Sequence, residues 1–306
     1  MSPPSGVLLS AHGTVTDPDD IPAFLQNIRR GRPTPQAIVD EVRHRFHAIG
    51  GSPLLATTRG VAEALASRLG APVFVGMRLW HPYIAEALDE AERRGVRRLL
   101  SLPLAPQSTH VYNDAVREAL AARRAEGRPV PELVEAPPWG LEPLLVGAFA
   151  EAVGEALARF EPGERGRVGL ALSAHSLPKR VIDAGDPYER QFREMADAVA
   201  ARVGHPGPTL VAFQSQGMDG GEWLGPDLPR AFAELRARGA EHVVVAAIGF
   251  LSDHVETLYD LDVDAPRLAR EAGFGRFERA PSLNLRPAFL DALEAVARRG
   301  LGLGPA

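Results

Sequence analysis

The sequence predicts an α/β chain of two similar halves with parallel sheets, related by internal duplication. Three observations predict it. Short β-rich apolar runs alternate with alanine-rich helical runs along the 306 residues, a long stretch recurs 144 residues on, and histidines recur just beyond the apolar runs, where parallel sheets place their ligand crevice. Such alternation implies strands covered by helices on both faces. The chain is longer than one core usually grows, so two domains are expected, over residues 1–150 and 151–306.

Taken in order, the strands are VLLSA (7–11), PVFVG (72–76), LLSLP (99–103), VGLALSA (168–174), TLVAF (209–213) and HVVVAAIGF (242–250). Thr34 and Pro35 read as the N-cap and first residue of a helix that Gly50 ends in a left-handed turn. Gly70, Gly95, Gly204, Gly239 and Gly300 punctuate later helices in the same way.

The repeat is gapless: GVRRLLSLPLAPQSTHV (95–111) aligns with GAEHVVVAAIGFLSDHV (239–255), 144 residues on. It sets Ser108 on Ser252 and His110 on His254, and upstream Pro82 falls on Pro226, each opening a helix. Separately, VLLSAHGT (7–14) echoes LALSAHSL (170–177). The join is expected between about 137 and 165, where PPWGLEP and EPGERGR flank a helix.

Composition excludes several classes. A net charge of −5 and a pI near 6.0 supply no basic field for a nucleic-acid backbone, so nucleic acid is not an expected partner. Zero cysteines exclude disulfides, thiolate catalysis and Cys-held clusters, and any metal must meet N or O ligands. With no basic apolar leader and no run of 18 apolar residues, a cytoplasmic protein without an integral membrane segment is expected. There is no GxxxxGK[ST] loop, no GxGxxG after the first strand and no GxSxG elbow.

Chemistry is therefore sought at the strand ends. His12, His110, His175 and His254 all lie there, four of only nine histidines. A lone histidine in such a place is most often a cap or a loop residue, but four at equivalent ends point to a site. After the last long strand comes LSDHVETLYDLDVDAP. On a helix begun near Ser252 and closed before Pro266, Glu256, Asp260 and Asp264 share one face. The competing reading is a solvated acidic face. Like charges at this spacing oppose a helix, however, and beside His254 they would guide a cation into the crevice.

Six ordered blocks resemble ferrochelatase over about residues 7–298: IRRGR (28–32), AIGGSPL (48–54), RLWHP (78–82), LSAHSLPKRVIDAGDPYERQ (172–191), FQSQGMDGGEWLGPDL (213–228) and GFLSDHVETLYDLD (249–262). The resemblance implies the chelatase fold, two Rossmann-like α/β domains with a porphyrin cleft between them, and Fe2+ and a porphyrin, coproporphyrin III or protoporphyrin IX, as substrates in haem synthesis. His175 and Glu256 correspond to the family's central pair, as base or metal ligand. Asp260 and Asp264 correspond to its metal path, and Arg45 and Ser52 lie near where some members hold a hydrated cation. His12 stands where many members that use coproporphyrin III carry a tyrosine that can meet the product iron. IPAFLQNIRRGR (21–32) reads either as an amphipathic surface helix or as a lip that covers the macrocycle with Phe24, Leu25 and Ile28. As a lip it would pair a propionate with Arg29, Arg30 or Arg32.

No resident cofactor is implied, since Fe2+ is a substrate. Without cysteines and with a short C-terminus, neither an iron–sulfur cluster nor a membrane-anchoring extension is expected, which leaves room for peripheral membrane contact only. A monomer is favoured. The rival readings are a sirohydrochlorin-type cobalt or iron chelatase and a noncatalytic porphyrin or haem carrier. The first generally lacks the GDPYxxQ and SDHxETLY blocks, and the second predicts loss of His175 or Glu256.

Overall fold

The computed structural model of the chain describes residues 4–217 and 221–304. Met218, Asp219 and Gly220, part of the quoted block 213–228, lie outside the described residues. The elements run β1 (Ser5–Ala11), α1 (Ile21–Ile28), α2 (Gln36–Ala48), α3 (Leu54–Leu69), β2 (Val73–Met77), α4 (Ile84–Arg93), β3 (Arg98–Pro103), α5 (Thr109–Ala125) and β4 (Glu132–Glu135). They continue with α6 (Pro143–Leu157), β5 (Val168–His175), α7 (Lys179–Asp183), α8 (Tyr188–Val203), β6 (Thr209–Gln214), α9 (Leu228–Ala237) and β7 (His242–Ala246). Last come α10 (Val255–Tyr259), a π-helical turn (Asp260–Asp264), α11 (Ala265–Glu271), β8 (Phe277–Arg279) and α12 (Pro287–Leu301).

Two four-stranded sheets result, ordered β2-β1-β3-β4 and β6-β5-β7-β8, with every pairing parallel. The shared order is the structural form of the sequence repeat. Even the lead into α4 and α9 matches: the Met77 N–H donates to the Pro82 carbonyl (2.6 Å), and the Phe213 N–H to that of Pro226 (2.8 Å). Each sheet buries its own core. In the first half Leu8, Phe74, Leu88, Leu99 and Val116 pack together, and in the second Phe232, Leu235, Val243, Val245 and Leu261 do so. Each such side chain, fully buried, contributes about 1.5–3 kcal/mol.

The six expected strands all form, and two more appear, β4 and β8. These edge strands, ELVE and FER, are too short and polar to carry an alternation signal. The run 242–250 is strand only as far as Ala246. Beyond it the chain turns so that the Gly249 N–H donates to the Ser173 carbonyl (3.0 Å), an approach only glycine permits, since a Cβ there would lie 2.4 Å from that of Ala174. α2 begins one residue later than expected, with Pro35 as its N-cap, and Gly50 follows its end at φ +73°. Gly70, Gly95, Gly204 and Gly239 are also left-handed. Gly300 is not a stop: it lies inside α12, where a Cβ would meet the Leu100 side chain at 2.6 Å, and Gly302 is the left-handed cap.

The join falls inside the expected region of 137–165, but earlier than residue 150, and the first unit also takes the last helix. One unit comprises residues up to Trp139 together with those from Asn284 on, and the other Gly140–Leu283. The join precedes residue 150 because α6 belongs wholly to the second unit, and the last helix returns to the first. There Arg68 meets Asp291 (2.6 Å), and Arg98 donates to the Leu301 carbonyl (3.1 Å). No helix of the described residues is long and apolar enough to cross a membrane.

Candidate active site

In the second unit the elements converge on Glu256. His175 is the last residue of β5, where the strand delivers its side chain beyond the sheet edge. The Tyr188 hydroxyl at the start of α8 donates to the His175 carbonyl (2.9 Å), and the Asp186 carboxylate accepts from the Tyr188 N–H (2.9 Å). The Gly-Asp-Pro-Tyr block thus anchors the strand end. Glu256 lies in the first turn of α10, which His254 precedes as N-cap.

The Glu256 carboxylate is flanked by two imidazoles. Its Oε1 is 3.3 Å from His175 Nε2 and its Oε2 is 3.4 Å from His254 Nε2. Both histidines turn Nδ1 toward a backbone carbonyl, that of Ser176 for His175 and that of Ser252 for His254 (3.1 Å). A carbonyl only accepts, so both Nδ1 atoms carry protons. A His175 Nε2 lone pair facing the carboxylate would be repelled, which favours a proton there too. Burial alone would lower the His175 pKa, but the charge and hydrogen bond of Glu256, with the Ser176 carbonyl, outweigh it and raise the group to about 9. Burial would raise the Glu256 pKa, yet His175 and His254 hold it well below the usual carboxylate range. The side chains of the pair remain about one-third exposed (33% and 31%), so substrate can reach them. The Phe250 ring, 4.7 Å from that of His254, adds an apolar wall.

Gln214 and Ser215, at the end of β6, fix this arrangement. The Gln214 amide donates to the Glu256 backbone carbonyl (3.1 Å), and its oxygen accepts from the Ser173 hydroxyl (2.7 Å), which sets the amide's orientation. Ser215 adopts φ +58°, a strained backbone of the kind that concentrates at functional sites, and its hydroxyl donates to Asp260. Asp264 is farther along and pairs loosely with Arg267 (3.7 Å).

The expected stop before Pro266 does not occur. The π turn carries the Ala265 N–H to the Asp260 carbonyl, five residues back, and the helix runs on through α11 with Pro266 near its start. Wider winding accommodates a residue that has no N–H. Among the described residues, no three His, Asp or Glu groups converge as a ready-made metal cage.

The other predicted residues belong to the first unit. His12 is exposed just beyond β1, edge-on to Phe24 (6.2 Å). The apolar face expected over 24–28 divides: Phe24 and Leu25 are core, whereas Ile28 is 39% exposed. The arginines lie past the helix because α1 ends at Ile28. Arg29 donates to the Pro33 carbonyl (3.3 Å), and Arg30 turns outward at φ +54°. Arg45 pairs with Glu41 on α2 (2.8 Å), and the Ser52 hydroxyl accepts from the Leu54 N–H (3.5 Å). Gln214, Ser215 and Tyr188 fall within the quoted family blocks, but their roles emerge only from contacts between β5, β6 and the helices.

Solved structures define the class first. SirB from Bacillus subtilis, with Fe3+, superposes with a TM-score of 0.63 at 13% identity, covering 97% of this chain and 95% of that one. CbiX, described as the terminal enzyme for biosynthesis of siroheme in denitrifying bacteria, gives 0.53 at 16%, covering 97% and 98%. The chain thus has a chelatase-type fold. Sequence comparison is narrower: the model of the family Ferrochelatase matches residues 4–301. Ferrochelatases of Acidobacterium capsulatum and Deinococcus radiodurans are both 37% identical, each over 97% of this chain, covering 94% and 96% of the relatives. Coproporphyrin III ferrochelatase of Anoxybacillus flavithermus is 34% identical over 95% of this chain and 94% of its own. The chain belongs to the ferrochelatase family, enzymes that insert iron into a porphyrin in haem synthesis.

Proposed function

We propose that Fe2+ enters the porphyrin at the His175–Glu256 pair. What supports this is the Glu256 carboxylate held between two imidazoles, 3.3 and 3.4 Å away, at a strand end. Insertion releases two pyrrole N–H protons and strips water from Fe2+. At rest the pair holds one proton, on His175. A dication arriving at Glu256 takes over the imidazolium's role as counter-charge and drives that proton off. Neutral His175 then accepts the two pyrrole protons in turn, passing the first to solvent before it takes the second, and Glu256 offers a hard oxygen to the metal. Asp260 and Asp264 lead the hydrated cation inward. No resident cofactor takes part, and Fe2+ is consumed as a substrate.

The porphyrin is coproporphyrin III or protoporphyrin IX, which differ in carboxylate number, and His12, Ile28, Arg29, Arg30 and Ser52 contact it. The enzyme works as a cytoplasmic monomer. Side-by-side insertion assays with both porphyrins decide the substrate. His175→Ala and Glu256→Gln are each expected to lower insertion by about 10²- to 10⁴-fold while porphyrin still binds. Near-normal turnover in either variant overturns the pair's role.

A further inference from the structure

Arg279, the last residue of β8, is used by none of the steps above, yet its side chain is only 15% exposed. Its guanidinium spans two parts of the segment that carries the reacting carboxylate. Nη1 donates to Asp253 Oδ1 (3.0 Å), just ahead of α10, while Nε meets Asp262 Oδ1 (2.6 Å) in the π turn. Asp253 also accepts from the hydroxyls of Ser282 (2.6 Å) and Thr257 (3.3 Å), and Thr257 in turn accepts from the His254 N–H (2.9 Å). Glu256 and Asp260 lie between the two tied carboxylates. A planar guanidinium suits this bridge because its fork presents several donors in fixed directions, which a lysine ammonium cannot match.

We infer that Arg279 is a positioning residue for metal insertion, clamping the start of the Glu256 helix to its π turn so that Glu256 and Asp260 keep a fixed spacing. The clamp also neutralises Asp262, so that carboxylate does not compete with Asp260 for the incoming cation. The inference rests on the reading of Glu256 as the reacting carboxylate.

The two partners of the clamp allow a test that separates positioning from simple support of the fold. Asp262 is 42% exposed, so Asp262→Asn leaves a hydrated amide and should hardly move Tm. Arg279→Gln breaks the ion pair with Asp253, 17% exposed, and should lower Tm. Zn2+ insertion at saturating porphyrin is measured for both variants, for the double variant and for Glu256→Gln, beside thermal unfolding. Expected is a loss of kcat of about 10- to 100-fold in each single variant, with KM for porphyrin unchanged and no further loss in the double variant, since all break one tether. If Arg279→Gln does not fold, Asp262→Asn alone decides. The clamp is overturned if Asp262→Asn stays within about twofold of the parent or if the two losses multiply. Glu256→Gln separates the two readings. An active Glu256→Gln enzyme removes the basis of the clamp, whereas an inactive one beside a normal Asp262→Asn enzyme sinks the clamp alone.

Discussion

At the scale of the residue, the His175–Glu256 contact governs the dependence on pH. The carboxylate holds His175 protonated up to about pH 9, and a protonated imidazole neither accepts a pyrrole proton nor ligates a metal. Insertion at low metal should therefore rise as pH climbs toward about 9 and level off above it, with an inflection that belongs to the pair. In Glu256→Gln the residual rate should turn at lower pH, because the charge that raises His175 is gone. Zn2+ insertion followed across the range would test this, and a profile flat from neutral pH upward would refute it. The pair itself was legible in the sequence, since both residues sit in distinctive blocks at a strand end. Arg279 was not: its two carboxylates are distant in sequence, and nothing in FERA announces a clamp. Gln214 was hidden for the same reason, its partners being Ser173 on a neighbouring strand and a backbone carbonyl.

At the scale of the element, the helix from Val255 to Glu271 carries the acidic row, whose spacing of four is plain in the sequence while its winding is not. A proline normally ends a helix, and only the π turn, which no residue pattern announces, lets this one continue. Asp260 and Asp264 stand at the two ends of that turn. If they feed the cation inward, Asp260→Asn and Asp264→Asn should raise the apparent KM for metal several-fold and leave kcat within about threefold. The effect should shrink as salt rises, because it is partly long-range attraction. Titrating metal at saturating porphyrin and two ionic strengths checks this. Unchanged metal dependence in both variants would reduce the row to a solvated face.

At the scale of the whole molecule, the duplication was visible in the sequence, but the path of the chain between its halves was not. Strand order is written in local repeats, whereas the return of α12 depends on which surface its apolar face covers. Phe289, Leu293 and Val296 on that helix are buried, and Gly300 presses on Leu100 of β3. Removing residues 284–306 should therefore unfold the first unit and leave Gly140–Leu283 able to fold, which circular dichroism and limited proteolysis of the shortened chain would report. Equal protection of both units in that chain would show that α12 is dispensable. The same feature sets an order of assembly during synthesis. Domains usually finish in the order in which they leave the ribosome. Here the first sheet is translated first but lacks a covering helix until the whole second unit has emerged. The half that bears His175 and Glu256 can be complete while the half made before it still exposes apolar surface, so nascent chains halted before residue 287 should be the form that most needs a chaperone.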